Sequence, residues 1–221
     1  TYVCTSGQYL NVTSCERCTA GYYCPSSSVT YTYNGSVQGR TECGGGKYSS
    51  VGATSCSNIT AGCYGTSASS SCPAVCAANT YSDAGASSCS SCPTDYKNSG
   101  TTAASHAGSA SCIITVSAGK YIGTAGDNSS NWGTCADGTY KAQHTVAYGS
   151  TSSCATCSAG YYCPEGAGSQ TECGGNTKYS SSGAASCSTV SSGYYTTGGT
   201  ATTRTGQTKC EAGNYCSGGV K

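Results

Sequence analysis

The sequence contains no methionine and no phenylalanine, a single tryptophan and a single leucine. With four Ile and ten Val, the strong apolar residues number fifteen in 221. That is far below the roughly 20% under which a chain stays disordered unless something other than an apolar core holds it. Charge is scarce too: seven Lys and three Arg face four Asp and five Glu, for a net charge of +1. Phosphate binding needs clustered Lys and Arg, so nucleic acid is excluded as a partner. No apolar run approaches the 18 or so residues of a membrane span, and no membrane insertion is expected within the chain. Thr1 opens no apolar leader and Lys221 closes no hydrophobic tail, so any targeting segment was removed or lies outside this sequence. Helix signals are nearly absent, because apolar residues show no 3.6-residue period and Gly and Thr are dense.

What the sequence has instead is cysteine, 20 of them, with 19 Tyr and 32 Gly. This is the composition of a disulfide scaffold, in which cross-links shrink the unfolded ensemble and Tyr rings packed on them stand in for a core. Such cysteine usage belongs to an oxidising compartment, and the expected location is extracellular or at the cell surface. Ser and Thr together number 70, and four N-x-[ST] sequons start at Asn11, Asn34, Asn58 and Asn128. Covalent glycans on these asparagines would supply the hydration that the scarce charges do not, although sequons also arise by chance in a Ser/Thr-rich chain. No other cofactor is expected.

The sequence is internally repetitive. Cys15-Glu-Arg-Cys18-Thr-Ala-Gly-Tyr-Tyr-Cys24-Pro25 matches Cys154-Ala-Thr-Cys157-Ser-Ala-Gly-Tyr-Tyr-Cys163-Pro164, and both continue through Thr-Glu-Cys-Gly-Gly and Lys-Tyr-Ser-Ser to Cys56 and Cys187. A finer beat of Gly-x-Tyr starts at Gly7, Gly21, Gly46, Gly62, Gly119, Gly138, Gly160, Gly193 and Gly213, with looser copies ending at Tyr81, Tyr96 and Tyr179. Each unit predicts a short strand carrying the Tyr, a Gly-containing turn and a return strand ending at Cys. Units this small cannot bury a face alone. The expected fold class is therefore small, disulfide-rich β-hairpin repeats stacked into an elongated rod with almost no helix. Cysteine density divides the chain into a cysteine-rich block at 1–92, Cys-poor connecting hairpins at 93–134 and a second cysteine-rich block at 135–221 that stops within a module. Writing the head after the tail, Cys216-SGGVK-TYV-Cys4-TSGQYLNVTS-Cys15 reads as the missing part of that module. Coincidence aside, either the sequence is an excerpt of a longer tandem array or separate subunits join head to tail, and both are fibrous objects.

Catalytic and metal chemistry fare poorly. The C-x2-C pairs at Cys15, Cys89 and Cys154 have zinc-compatible spacing, but the setting favours structural disulfides. His106 and His144 lie in Ser/Thr/Ala-rich loop sequence and form no H-x3-H pattern, Glu42 and Glu172 occupy equivalent repeat positions that suggest a local turn or backbone bond, and Gly44-Gly-Gly-Lys47 lacks the rest of a phosphate loop. Asp127 to Gly133 lacks the terminal Glu of a calcium loop and reads as surface around Asn128. No enzyme is expected.

The frame C-x2-C-x2-G-Y-Y-C-P followed by C-x3-K-Y-S-S-x-G-A-x-S-C resembles the ephrin-receptor-like and tumour-necrosis-factor-receptor-like cysteine-rich repeats. It is most similar to the long tandem versions in surface proteins of ciliates and other protists, including immobilisation antigens. The resemblance covers Cys4 to Cys92 and Cys135 to Cys216 and is specific for repeat type, not for function. It implies hairpin-closing bridges between successive cysteines, Cys43 to Cys56, Cys76 to Cys89 and Cys173 to Cys187, and leaves Cys112 and the cysteine replaced by Gln207 open. The expected function is an extracellular glycosylated structural protein that forms or coats fibrils or a cell-surface layer, with self-association into a filament or tandem array. The alternative is an adhesin or receptor-like binding ectodomain.

Overall fold

The computed structural model describes all 221 residues. It consists of small antiparallel two-stranded sheets, twelve in all, with helix confined to three short 3-10 turns. The chain divides into two compact units, Thr1–Ile113 and Ile114–Lys221. The division falls inside the Cys-poor stretch.

In the first unit five hairpins follow one another: Gln8–Asn11 with Ser14–Arg17, Tyr22–Tyr23 with Thr41–Glu42, Lys47–Tyr48 with Ser57–Asn58, Cys63–Tyr64 with Ala74–Val75, and Thr80–Tyr81 with Ser90–Ser91. An additional sheet joins Tyr2–Cys4 to Val29–Tyr31. In the second unit the series is Lys120–Tyr121 with Gly133–Thr134, Thr139–Tyr140 with Ala155–Thr156, Tyr161–Tyr162 with Thr171–Glu172, Lys178–Tyr179 with Ser188–Thr189, and Tyr194–Thr197 with Gly206–Lys209.

Every cysteine pairs with the next cysteine in sequence, giving ten bridges with no interleaving and no free thiol. Most Gly-x-Tyr units are preceded, three residues earlier, by a half-cystine, as at Cys4, Cys18, Cys43, Cys135 and Cys157. Where that position holds no cysteine it holds Ile59, Val116 or Val190, and Ile59 and Val116 are fully buried. A half-cystine and a β-branched aliphatic are interchangeable here because both fill the same small apolar volume. Tyr9 packs on Cys18 and Cys24, and Tyr48 packs on the cluster of Ile59, Cys63 and Ala68.

The bridges are local, many running from the cysteine just past one hairpin into the next, as Cys43 to Cys56 and Cys76 to Cys89, and backbone hydrogen bonds also join one hairpin to the next. The glycine amide that opens most Tyr strands donates to a carbonyl just past the Tyr of the following hairpin: Gly7 to Pro25 at 3.0 Å, Gly46 to Gly65 at 2.9 Å, Gly62 to Ser82 at 2.9 Å. The second unit repeats this with Gly119 to Lys141 at 2.8 Å, Gly138 to Cys163 at 2.8 Å and Gly160 to Ser180 at 3.0 Å. The same glycine's carbonyl accepts from the residue that ends its own hairpin, as from Cys18 to Gly7 at 2.8 Å and from Cys157 to Gly138 at 2.8 Å. A third contact reaches two hairpins along, where Gly52 donates to Cys18 at 2.7 Å and Gly183 to Cys157 at 2.8 Å.

This geometry explains why the beat demands glycine. At Gly46, φ is +70°, and a Cβ would fall on the backbone carbonyl of Gly85 in a later hairpin. Where the beat loosens, Asn79 (φ +62°) and Asp95 (φ +69°) take up the left-handed conformation, which Asn and Asp tolerate best among non-glycine residues. Substituting Gly46 by Ala is expected to destabilise the protein by at least about 2 kcal/mol more than the same change at Gly193. Gly193 has φ +78° but nothing within 4 Å of its added Cβ, so only the cost of the left-handed conformation, about 1 kcal/mol, applies there. Denaturant melts of the two oxidised variants check this.

The tight turn between Gln8–Asn11 and Ser14–Arg17 carries strain of its own. Its first residue, Val12, has φ +56°, a position where such connections favour glycine and a β-branched side chain is poorly accommodated. Val12→Gly keeps the sequon and is expected to gain about 1 kcal/mol, raising the melting temperature by about 2–4 °C in calorimetry.

Candidate glycan sites and assembly surface

Each bridge named from sequence is present: Cys43–Cys56, Cys76–Cys89 and Cys173–Cys187 have Cα separations of 5.7, 5.8 and 5.6 Å. Cys112 pairs with Cys92, and Cys210 with Cys216. The C-x2-C pairs are not bonded internally: Cys15 joins Cys4 while Cys18 joins Cys24, and Cys154 joins Cys135 while Cys157 joins Cys163. Gln207 stands on a strand, and its side chain receives the Ser191 amide at 2.7 Å and donates to the Ser191 hydroxyl at 3.1 Å. Two hydrogen bonds occupy the place of a cross-link.

The four sequon asparagines lie at hairpin edges and in turns. Asn34 and Asn58 are exposed, and Asn11 and Asn128 half-buried. Asn34 Oδ1 accepts from the Ser36 amide at 3.0 Å and Asn128 Oδ1 from the Ser130 amide at 3.1 Å, so both side chains are set in Asx turns. Asn11 donates to Glu16 at 2.8 Å, and Asn58 faces Lys47 across its hairpin.

The other singled-out residues serve structure. Glu42 and Glu172 sit on strands opposite Tyr22 and Tyr161, in equivalent registers, so of a turn and a backbone role it is backbone pairing that they share. The Gly44–Gly46 run packs on the next hairpin, with Gly44 receiving the Ser67 amide at 2.8 Å. Asp127 caps a turn by accepting from the Thr124 amide at 3.1 Å. His106 is not a loop residue: it ends a 3-10 turn, is fully buried, and sets its two ring nitrogens against the carbonyls of Thr80 at 2.9 Å and Gly100 at 3.2 Å. His144 lies on a strand, its Nδ1 3.0 Å from the Ala142 carbonyl. At the exposed end of the second unit Lys221 donates to Glu211, which holds the Glu211 carboxyl below the usual carboxylate range.

The hydroxyls that follow the Tyr strands escaped sequence reasoning. Ser49, Ser82 and Ser180 are buried, and each donates to a carbonyl of the preceding hairpin: Ser49 to Tyr22 at 2.7 Å, Ser82 to Cys63 at 2.8 Å, Ser180 to Tyr161 at 2.7 Å. The repeated Tyr-Ser dipeptide was their only trace. Ser49→Ala and Ser180→Ala are each expected to cost about 1–3 kcal/mol by leaving the partner carbonyl unpaired, read as a lower urea midpoint at unchanged slope.

The surface most unlike the rest is at the end of the second unit. Tyr215 is 85% exposed, whereas Tyr23, which precedes the cysteine of the matching six-residue bridge, is 37% exposed. Gly193 and Gly213 have nothing within 4 Å of an added Cβ, in contrast to Gly7, Gly21, Gly46, Gly62, Gly119, Gly138 and Gly160, each of which abuts the backbone of a later segment.

Together these features define a class: a disulfide-closed β-hairpin repeat protein. No protein-family model matches the chain, and no curated protein matches it. No helix is long and apolar enough to cross a membrane.

Proposed function

We propose that the chain is an extracellular, N-glycosylated, non-catalytic structural protein that forms or coats fibrils or a cell-surface layer through head-to-tail stacking of its repeats. The observation carrying this reading is the recurrent bonding of one hairpin to the next. Because each contact uses the same backbone groups, the scheme has no built-in stop and extends by adding hairpins, as in other one-dimensional repeat proteins. Ten local bridges suit an oxidising exterior, and covalent glycans at Asn11, Asn34, Asn58 and Asn128 would hydrate a surface with little charge.

The second reading, an adhesin or receptor-like ectodomain of the kind found in protist surface antigens, draws on exposed Tyr33 (52%) and Tyr215, since exposed aromatics serve as contact anchors. Electron microscopy of native, unreduced protein, with intact mass before and after enzymatic deglycosylation, separates the two. Filaments and an Asn-to-Asp conversion at the sequons are the expected result. A monodisperse monomer with unmodified asparagines overturns the structural reading in favour of a binding ectodomain.

A further inference from the structure

An asparagine can lose its side-chain nitrogen to attack by the backbone amide of the residue that follows, and a following glycine, lacking a Cβ, hinders that attack least. The chain contains a single Asn-Gly step, Asn34-Gly35. It lies in the exposed segment 32–37, between the strand Val29–Tyr31 and Gln38.

Three donors hold Asn34 Oδ1: the Ser36 amide at 3.0 Å, the Ser36 hydroxyl at 2.7 Å and the Gln38 side-chain amide at 2.7 Å. Gln38 is itself fixed. Its side chain also donates to the Thr32 carbonyl at 3.0 Å, and its backbone exchanges hydrogen bonds of 2.9 and 3.0 Å with the fully buried Leu10. With Oδ1 bonded to the amide one residue beyond Gly35, the carboxamide is folded back over the Gly35 peptide. Neither Asn34 Nδ2 nor the Gly35 amide makes a hydrogen bond, and Gly35 has nothing within 4 Å of an added Cβ. Comparable steps elsewhere lack this combination. Asn128 Oδ1 has one donor and is followed by Ser129, and Asn98 is buried with its nitrogen held by the Thr80 carbonyl at 2.9 Å. In Asp137-Gly138 the glycine amide is committed to Cys163 at 2.8 Å.

We infer that Asn34 is a site of self-modification: where it carries no glycan, the Gly35 nitrogen closes on its Cγ and converts the residue to aspartate and isoaspartate. As the N–Cγ bond forms, negative charge collects on Oδ1, where three donors already point, and they stabilise it as an oxyanion hole does. The Cγ–Nδ2 bond then breaks, the proton of the Gly35 amide leaves with that nitrogen as ammonia, and a five-membered imide remains. Water opens the imide at one carbonyl to give aspartate or at the other to give isoaspartate, whose backbone is one carbon longer. Asparagine and water thus become the acid and ammonia without any further reactant. The product adds a negative charge to a chain of net charge +1, and the longer isoaspartate backbone displaces Ser36 and Gln38.

The reaction and N-glycosylation compete for one atom, Nδ2 of the sequon Asn34-Gly-Ser36. On the glycosylation proposed above, a sugar at Asn34 blocks the departure of that nitrogen and preserves the segment.

The test uses full-length, oxidised protein from a bacterial periplasm, which forms disulfides and leaves these asparagines without sugar. It is held at mildly alkaline pH beside the same protein reduced and denatured, and each asparagine is followed by peptide mass spectrometry and an isoaspartate-specific methyltransferase. The expected result is aspartate and isoaspartate at position 34 ahead of every other asparagine, formed faster in the folded protein than in the denatured chain. Gln38→Met removes one donor and should slow the folded reaction about fivefold, leaving the denatured rate unchanged. Folded conversion no faster than denatured, or unaffected by Gln38→Met, overturns the inference. Because that variant can loosen the segment, Gly35→Ala gives a second check: it keeps the sequon and has room for its Cβ, yet should slow conversion by hindering the attack. Aspartate formed without isoaspartate overturns the imide route. The result does not depend on whether the native protein is glycosylated, and enzymatic removal of a native sugar leaves aspartate alone, so the two fates of Asn34 are told apart.

Discussion

The whole arrangement hangs on one backbone geometry: a residue with positive φ ahead of most Tyr strands, whose amide points at the next hairpin while its carbonyl closes its own. A residue without a Cβ lets two backbones come closest, and the glycine beat is the chemical record of that contact. Removing these bonds would leave the hairpins tethered by their bridges but free to turn on one another. The half-cystines, the tyrosines on them and the buried serines all reinforce contacts that this geometry sets.

Disulfides and hydrogen bonds therefore work along the same direction. Many bridges tie the cysteine that ends one hairpin to the hairpin that follows, as Cys43 to Cys56 and Cys173 to Cys187, shrinking the unfolded ensemble of segments too small to bury an apolar face. Amide and hydroxyl donors meeting carbonyls then fix how neighbouring hairpins lie on one another. In Ser49 and Ser180, at equivalent places in the two large repeats, the same hydroxyl does the same job.

Much of this was legible in the sequence, because covalent and steric demands leave residue-type signatures. Gly-x-Tyr marks each strand, and the spacing of Cys43 to Cys56 or Cys173 to Cys187 matches one hairpin. Features that depend on what lies across a contact were not legible. Ser82 looks like any serine in a Ser-rich chain until a neighbouring carbonyl is placed 2.8 Å away. His106 looked like loop because burial comes from the carbonyls of Thr80 and Gly100, 26 and 6 residues away along the chain. Ile59 and Val116 did not announce themselves as stand-ins for cysteine because the shared property is volume, not chemistry. Tyr215 carried the same Gly-x-Tyr signature as Tyr9, and only the geometry separates the covered ring from the bare one.

The successive pairing of the cysteines has a consequence for biogenesis. A chain threaded through a membrane from its N-terminus presents Cys4 and then Cys15, Cys18 and then Cys24, always with the correct partner as the next thiol to arrive. Oxidation in order of emergence gives the native set directly, so no bridge has to be broken and reshuffled. Proteins whose bridges interleave must instead hold early thiols unpaired or rely on an isomerase to correct them. For a chain that crosses a membrane in this way, the order of emergence is itself the instruction for cross-linking.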